Sequence, residues 1–444
     1  MAATGRDVEI LLQKHEKEHL NMKIFVASIL AASTFLAAAS LWSSLVSGVS
    51  DNNLVASTNV TLSAEIPLET QQLEVENQLG SVRIRGTNNS PGRWTWSLTV
   101  RARSQDEASR IAQAINCQHS QAGARLALKV LFPHTFSNVS VESQFEISVP
   151  SQASVKVTDA FGEITASELQ GSLDAVGQNG EVSLRNIAGE VHARTSFAAL
   201  QAENIGPALL SNQNGEISVT RVQGPLEADT SFARLRAENI AGRARLHNQN
   251  GEILVRDVRG PLDAHTSFSL LTVRNITGGV TLGNQNGEIR AESLSSNADL
   301  TTSFAELFVK DVGGAVVLED QNGGIDASAI SGTVRARTSF SALKVSGTGP
   351  TFDCHNQNGS IYIQAKSPAL ASIQAETSFG GLEVRVPASL KPAIVAKTSF
   401  GGVDSDFPID PRLSRENQDA EMASGTTQIR LKNQDGGIRI VGQK

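Results

Sequence analysis

Cysteine is almost missing from this chain. Its two copies, Cys117 and Cys354 in 444 residues, belong to distant parts of the sequence, which excludes a disulfide-stapled fold and leaves stability to packing. Large aromatic residues are scarce as well: there is one tyrosine, and two of the three tryptophans sit together at Trp94 and Trp96. No aromatic-rich recognition surface is visible. Positive charge is in deficit, with 38 Lys and Arg against 45 Asp and Glu and a net charge of −7. With no basic patch interleaved with aromatics, nucleic acid is excluded as a partner. The eight histidines are scattered; His15 and His19 stand one helical turn apart, but Glu16 and Glu18 do not complete the HExxH pattern of a zinc protease. No cofactor-binding or metal-ligating motif emerges.

What the chain has in abundance is repetition. Thr-Ser-Phe recurs at Thr195–Phe197, Thr230–Phe232, Thr266–Phe268, Thr302–Phe304 and Thr338–Phe340. Gln-Asn-Gly recurs with its asparagine at Asn179, Asn214, Asn250, Asn286, Asn322 and Asn358. The motifs alternate every 18 residues, with one interval of 17, so the 36-residue period over about Asp159 to Ile363 is a pair of unlike 18-residue coils. Counted from Phe232 or Asn250 as zero, offsets 3, 5, 8, 12 and 14 are apolar: Leu235 aligns with Ile253, Ala237 with Val255, Ile240 with Val258, Ala244 with Leu262, and Leu246 with Ala264. Spacings of two within 3/5 and 12/14 mark strands with one buried face, and helical spacing is absent.

Glycine and Asn-Gly fall between these alternations, where a chain turns tightly and uses positive φ. One strand pair cannot bury its own apolar face, whereas coil stacked on coil makes a continuous core. The expected fold is all-β, a parallel β-helix (β-solenoid) with 18-residue coils, narrow and three-sided or flattened. Asn-Gly is also the strongest hairpin signal, but a register kept over nine or ten coils argues for stacking.

The ends differ. Residues 24–50 carry no charge and are long enough for an N-terminal transmembrane helix; the Lys/Arg bias places the 1–23 leader in the cytoplasm and the remainder outside. A signal peptide starting at Met22 is the alternative reading. Either way the expected location is the cell envelope, with single-pass membrane attachment through residues 24–50. Residues 60–158 read as a small α+β capping module in which Ser104 and Glu107 form a capping box, followed by a short helix with Ala108, Ile111, Ala112 and Ile115 on one face. The solenoid is expected over 159–442, with a polar insertion at 408–425 that covers the last edge.

Three stretches carry a resemblance: LEVENQLGSVRIRG at 73–86, FEISVPSQASVKVTDAFGEITASELQGSLDA at 145–175, and VPASLKPAIVAKTSFGGVDSDFPI at 386–409 followed by TTQIRLKNQDGGIRI at 426–440. In order and spacing they resemble the "putative adhesin" (adhesin-like) β-solenoid domain family of bacterial envelope proteins, over roughly residues 60–442. The resemblance implies an exported, membrane-associated domain and brings no catalytic residue with it.

Three columns are candidate sites. Phe197, Phe232, Phe268, Phe304 and Phe340 are expected as a core ladder at a corner, about 9.6 Å apart at twice the strand spacing; a carbohydrate-binding strip would need the rings to face outward. Asn214, Asn250, Asn286, Asn322 and Asn358 take the same corner in alternate coils as a turn solution. At offset 2, Glu163, Glu181, Glu216, Glu252, Glu288 and Glu306 are expected to point outward, with Arg234 among them. Adjacent pairs such as Glu163/Glu181 and Glu288/Glu306 approach a glycosidase separation, but no long loop supplies a cleft. The function read from these features is non-enzymatic: an adhesin-like or scaffold protein whose repetitive surface binds an envelope protein or glycan. The alternative is an exported polysaccharide-processing enzyme using paired surface carboxylates.

Overall fold

The computed structural model describes residues 54–133, 138–408, 410–413, 418–422 and 425–443. They divide into two compact units. In the smaller one, the helix Gln105–Ala114 begins as its sequence predicts: the Ser104 hydroxyl accepts from the Glu107 amide at 3.3 Å, and the Glu107 carboxylate accepts from the Arg103 amide at 3.3 Å. Ala108 and Ala112 form its buried face.

The larger unit is the solenoid. Each coil contributes a six-residue strand such as Leu235–Ile240 to one parallel sheet and a five-residue strand such as Ala244–Asn248 to a second. The tube is therefore flattened, with two strands per coil. The register is the one that the apolar offsets predict, pairing Leu235 with Ile253, Ala237 with Val255 and Ile240 with Val258 in one sheet, and Ala244 with Leu262 and Leu246 with Ala264 in the other. The residues at these five offsets are buried in every coil counted from Asn214 to Asn322, each Leu, Ile or Val contributing about 1.5–3 kcal/mol of burial. The 17-residue interval after Phe197 moves the last two buried positions of that coil to Ala208 and Leu210. Cys354 fills an offset-14 position and is buried as predicted; it and Cys117 are both free thiols.

Offset 8 obeys a rule that simple alternation does not provide. Three residues separate it from offset 5, yet both point inward, which an unbroken strand forbids. The step is made by one left-handed residue per coil: Glu168, Asn186, Asn204, Arg221, Asn239, Asp257, Asn275, Ser293, Asp311 and Ala329 have φ between 53° and 60°. Each is skipped in the pairing register, as Asn239 is between Glu238 and Ile240. The left-handed conformation thus lies at this corner and not at Asn-Gly, where it was expected.

Stacking does not follow chain order at the ends. The strand Gln72–Asn77 pairs in parallel with both Arg125–Leu131 and Ser154–Asp159, so the first coil is inserted between later ones. At the other end, Thr427–Asp435 is inserted between Ser372–Phe379 and Pro392–Thr398, parallel to both. The outer side of Pro392–Thr398 then pairs antiparallel with Gln418–Met422, which forms a two-stranded pairing with Asp410–Leu413.

The membrane-spanning helix expected over 24–50 is corrected here. That segment lies outside the described residues, as does the 1–23 leader, and among the described residues no helix is long and apolar enough to cross a membrane. The helix Gln105–Ala114 has ten residues, about 15 Å of rise against a hydrocarbon core of about 30 Å. The single-pass topology, the attachment to a membrane through 24–50 and the envelope placement that rests on them are withdrawn.

Candidate functional site: an edge of phenylalanine and glutamine

The corner that carries the Thr-Ser-Phe and Gln-Asn-Gly motifs is built on a buried polar ladder that the repeat pattern did not reveal. From Val191 to Asn356, the last residue of each strand in the second sheet points inward: Thr195, Asn212, Thr230, Asn248, Thr266, Asn284, Thr302, Asp320, Thr338 and Asn356 are all buried. Asn248 Nδ2 donates to the Ala233 carbonyl at 2.7 Å in the coil below, while its Oδ1 accepts from the Gly251 amide at 2.8 Å. Thr266 of the next coil then donates to the Gly251 carbonyl at 3.1 Å. Asn212 and Asn284 repeat the arrangement, so threonine and asparagine coils satisfy each other's corner groups in turn.

Glycine is required here by space. A Cβ on Gly251 would lie 2.2 Å from the Ala233 oxygen and 2.5 Å from Asn248 Nδ2, the two atoms that must meet. The asparagine of Asn-Gly adds a second stitch: Nδ2 of Asn214, Asn250, Asn286 and Asn322 donates to the serine carbonyl of the preceding Thr-Ser-Phe at 3.1–3.3 Å. These asparagines are corner residues, as their spacing suggested.

With the inward slot taken by Thr and Asn, the phenylalanines have no core to enter. Phe197, Phe232, Phe268, Phe304 and Phe340 are 56–63% exposed, and Phe161, Phe379 and Phe400 are exposed as well. The expected core ladder is therefore an outward one. Thr and Phe are two residues apart, a step that strand alternation would keep on one face; the turn between them instead places the ring on the solvent side of the corner.

Glutamine occupies the alternate coils. Gln213, Gln249, Gln285, Gln321 and Gln357 are exposed, and their side-chain amides make no hydrogen bond to the described residues. The insertion of coils at the ends preserves the alternation. In sequence Phe379 and Phe400 belong to consecutive coils, but the strand carrying Gln434 lies between them: Asp435 pairs with Phe379, and the Phe400 amide donates to the Gln434 carbonyl at 3.0 Å. At the start, the Phe161 amide donates to the Gln78 carbonyl at 3.1 Å. Phenylalanine and glutamine thus alternate from Gln78 to Phe400 in spatial order.

The acidic column at offset 2 lies beside this edge, and its glutamates are at least partly exposed. Arg234 pairs with Glu252 at 2.9 Å, Glu288 is held by Arg290, and Glu163 accepts from the Thr165 hydroxyl at 2.7 Å. Among the described residues no group of three or more His, Cys, Asp or Glu is placed to hold a metal ion. Two acids instead sit in the buried ladder. Burial pushes the Asp159 carboxyl up to about 6 against the hydrogen bond from Asn77 (2.9 Å). Burial likewise raises Asp320, which replaces the usual Asn; its Oδ1 accepts from Gly323 at 2.8 Å, and its buried Oδ2 has no partner.

No family model matches the chain, and no curated protein is similar to it in sequence. Solved structures do match. A "putative cell adhesion protein" from Clostridium sporogenes is 10% identical, with 87% of this chain and 100% of that chain covered and a TM-score of 0.17. A "putative adhesin" from Parabacteroides distasonis is 11% identical over 87% and 97% of the two chains, TM-score 0.20. One from Bacteroides fragilis is 10% identical over 86% and 97%, TM-score 0.18. The chain is a distant, partial match to bacterial adhesin-like proteins. At such identity no residue role transfers.

Proposed function

We propose that this chain is a non-enzymatic, adhesin-like scaffold whose working surface is the phenylalanine and glutamine edge. The observation that carries the reading is the unbroken outward ladder of rings, each seated on a corner that the Thr and Asn ladder holds rigid. Exposed phenylalanine is unfavourable in water, and a row of it kept at every second coil marks a place where another molecule covers apolar surface. The rival enzyme finds no support in the acidic column: Glu288 is occupied by Arg290, and the corner carries no long loop from which a cleft is built.

Beads coated with the full chain are expected to adhere to cell surfaces, and beads coated with the triple variant Phe232→Ala, Phe268→Ala, Phe304→Ala are not. Polysaccharides incubated with the chain are expected to release no reducing ends. Release that disappears in Glu288→Gln/Glu306→Gln or Glu163→Gln/Glu181→Gln would sink the scaffold reading.

A further inference from the structure

We infer that the edge binds an extended, uncharged polysaccharide of β-1,4-linked sugars, lying along the ladder with one disaccharide per pair of coils. The inference rests on the binding role proposed above and names the ligand class. Its first support is spacing. Phe rings two coils apart repeat at about 9.6 Å, and in an extended β-1,4-linked chain the repeating unit is the disaccharide, because each sugar is flipped relative to the last. A rigid ladder of this pitch presents one ring to every second sugar, so contacts accumulate along the polymer without distorting it.

The second support is the chemistry of the alternate coils. A pyranose with equatorial substituents has an apolar C–H face, which stacks on an aromatic ring, and a rim of hydroxyl groups, which needs donors and acceptors beside that ring. Phe268 supplies the face, and the exposed amides of Gln249 and Gln285 in the flanking coils offer both a donor and an acceptor. An apolar partner such as a membrane surface would leave these amides without partners.

Charge decides the remaining choice. From Gln178 to Asn358 the ridge itself, the residues at offsets 17, 0 and 1, contains only Ser, Gln, Phe, Asn, Ala and Gly. The neighbouring column adds Glu181, Glu216, Glu252, Glu288 and Glu306 against Arg234. A polyanionic glycan or an anionic lipid surface meets no cation on the ridge and an acidic flank beside it. An uncharged glycan meets no such repulsion.

The test uses the full chain and titration calorimetry with β-1,4-linked glucose and β-1,4-linked N-acetylglucosamine oligosaccharides of two to six units, with the α-1,4-linked glucose hexamer as control. At least one β-linked series is expected to bind with affinity rising steeply with length, and the curved α-linked hexamer is expected not to bind. Phe268→Ala is expected to weaken the hexamer about tenfold, and Gln249→Ala/Gln285→Ala to weaken it several-fold, with circular dichroism unchanged because all three side chains are exposed. Absence of binding by both β-linked series overturns the inference, as does hexamer affinity indifferent to the triple phenylalanine variant. Sedimentation in which the chain is a dimer and the triple variant a monomer also overturns it, and assigns the edge to a second copy. Bead adhesion that needs the rings while no β-linked oligosaccharide binds would leave the scaffold reading standing and remove only the ligand class.

Discussion

The two corners of the coil solve the same problem, reversing the chain within a few residues, by opposite means. At the corner of offset 7 the backbone adopts a left-handed residue in every coil from Glu168 to Ala329, and the side chains there are varied and outside the core. At the corner of offset 0 no non-glycine residue of the repeat has positive φ, and the turn is held by buried Thr and Asn side chains with a glycine cleared of its Cβ. One corner tolerates almost any residue at about 1 kcal/mol of backbone strain each. The other dictates identity at four consecutive positions, Asn-Gln-Asn-Gly, and so carries the recognisable motif. Constraint at the second corner is also what makes it a rigid platform for exposed rings.

The comparison is most severely tested at the glycine. Gly251→Ala must displace either the Ala233 carbonyl or the Asn248 side-chain amide that donates to it, and is expected to cost about 3 kcal/mol or more, read as a lowered urea midpoint. A loss below about 1 kcal/mol would show that the corner has slack. Asn248→Ala comes next: it strips a buried carbonyl and a buried amide of their partner, an expected loss of about 2 kcal/mol with the coil fold retained in circular dichroism.

Asp320 sharpens the contrast in the other direction. It stands where Asn212, Asn248, Asn284 and Asn356 donate to the coil below, and a carboxylate cannot donate. Asp320→Asn is expected to stabilise by about 1 kcal/mol near neutral pH. Burial raises the folded-state pKa above the ordinary 3.8, so protonation is favoured more in the native protein than in the unfolded chain. The stabilising contribution of that protonation is complete below the ordinary value and fades as pH rises through the raised one. The gain from the asparagine should therefore be larger at pH 7 than at pH 4, and an equal gain at both would reject the account. Asp159, raised to about 6, contributes in the same sense, its stabilisation being lost between about 4 and 6.

Smaller effects are expected at the permissive corner and on the edge. Ala329 holds φ 55° without the polar side chain that eases this conformation; Ala329→Gly is expected to raise stability by about 1 kcal/mol, and a loss would show that the residue is not strained. Phe268→Ala should leave the denaturation midpoint within about 0.5 kcal/mol of the parent, since its ring is 59% exposed. A loss of several kcal/mol would return the ring to the core and remove the basis of the binding edge.

Much of the fold was legible before any coordinates. The pairings of Leu235 with Ile253 and of Ala244 with Leu262 follow from a period that the core enforces, because a slip of one residue in any coil would turn its apolar face to water. The odd step from offset 5 to offset 8 was also present in the pattern, and it demanded a phase-shifting residue, but the variety of Glu168, Arg221, Ser293 and Ala329 hid the conformation they share. The direction of the rings was not legible. Phe232 and Leu235 are both apolar and three residues apart across a turn, and hydrophobic pattern alone assigns both to the core.

The amino-acid sequence by itself determined the coil length, the parallel stacking and the buried ladders, since these depend on periodic burial and on nothing distant in the chain. Only the tertiary structure decided which side of the corner the phenylalanines occupy, and that Thr427–Asp435 enters between two earlier coils to keep phenylalanine and glutamine in alternation. Those outcomes depend on which backbone groups each added coil finds unsatisfied at an edge, and that is a property of coils already in place.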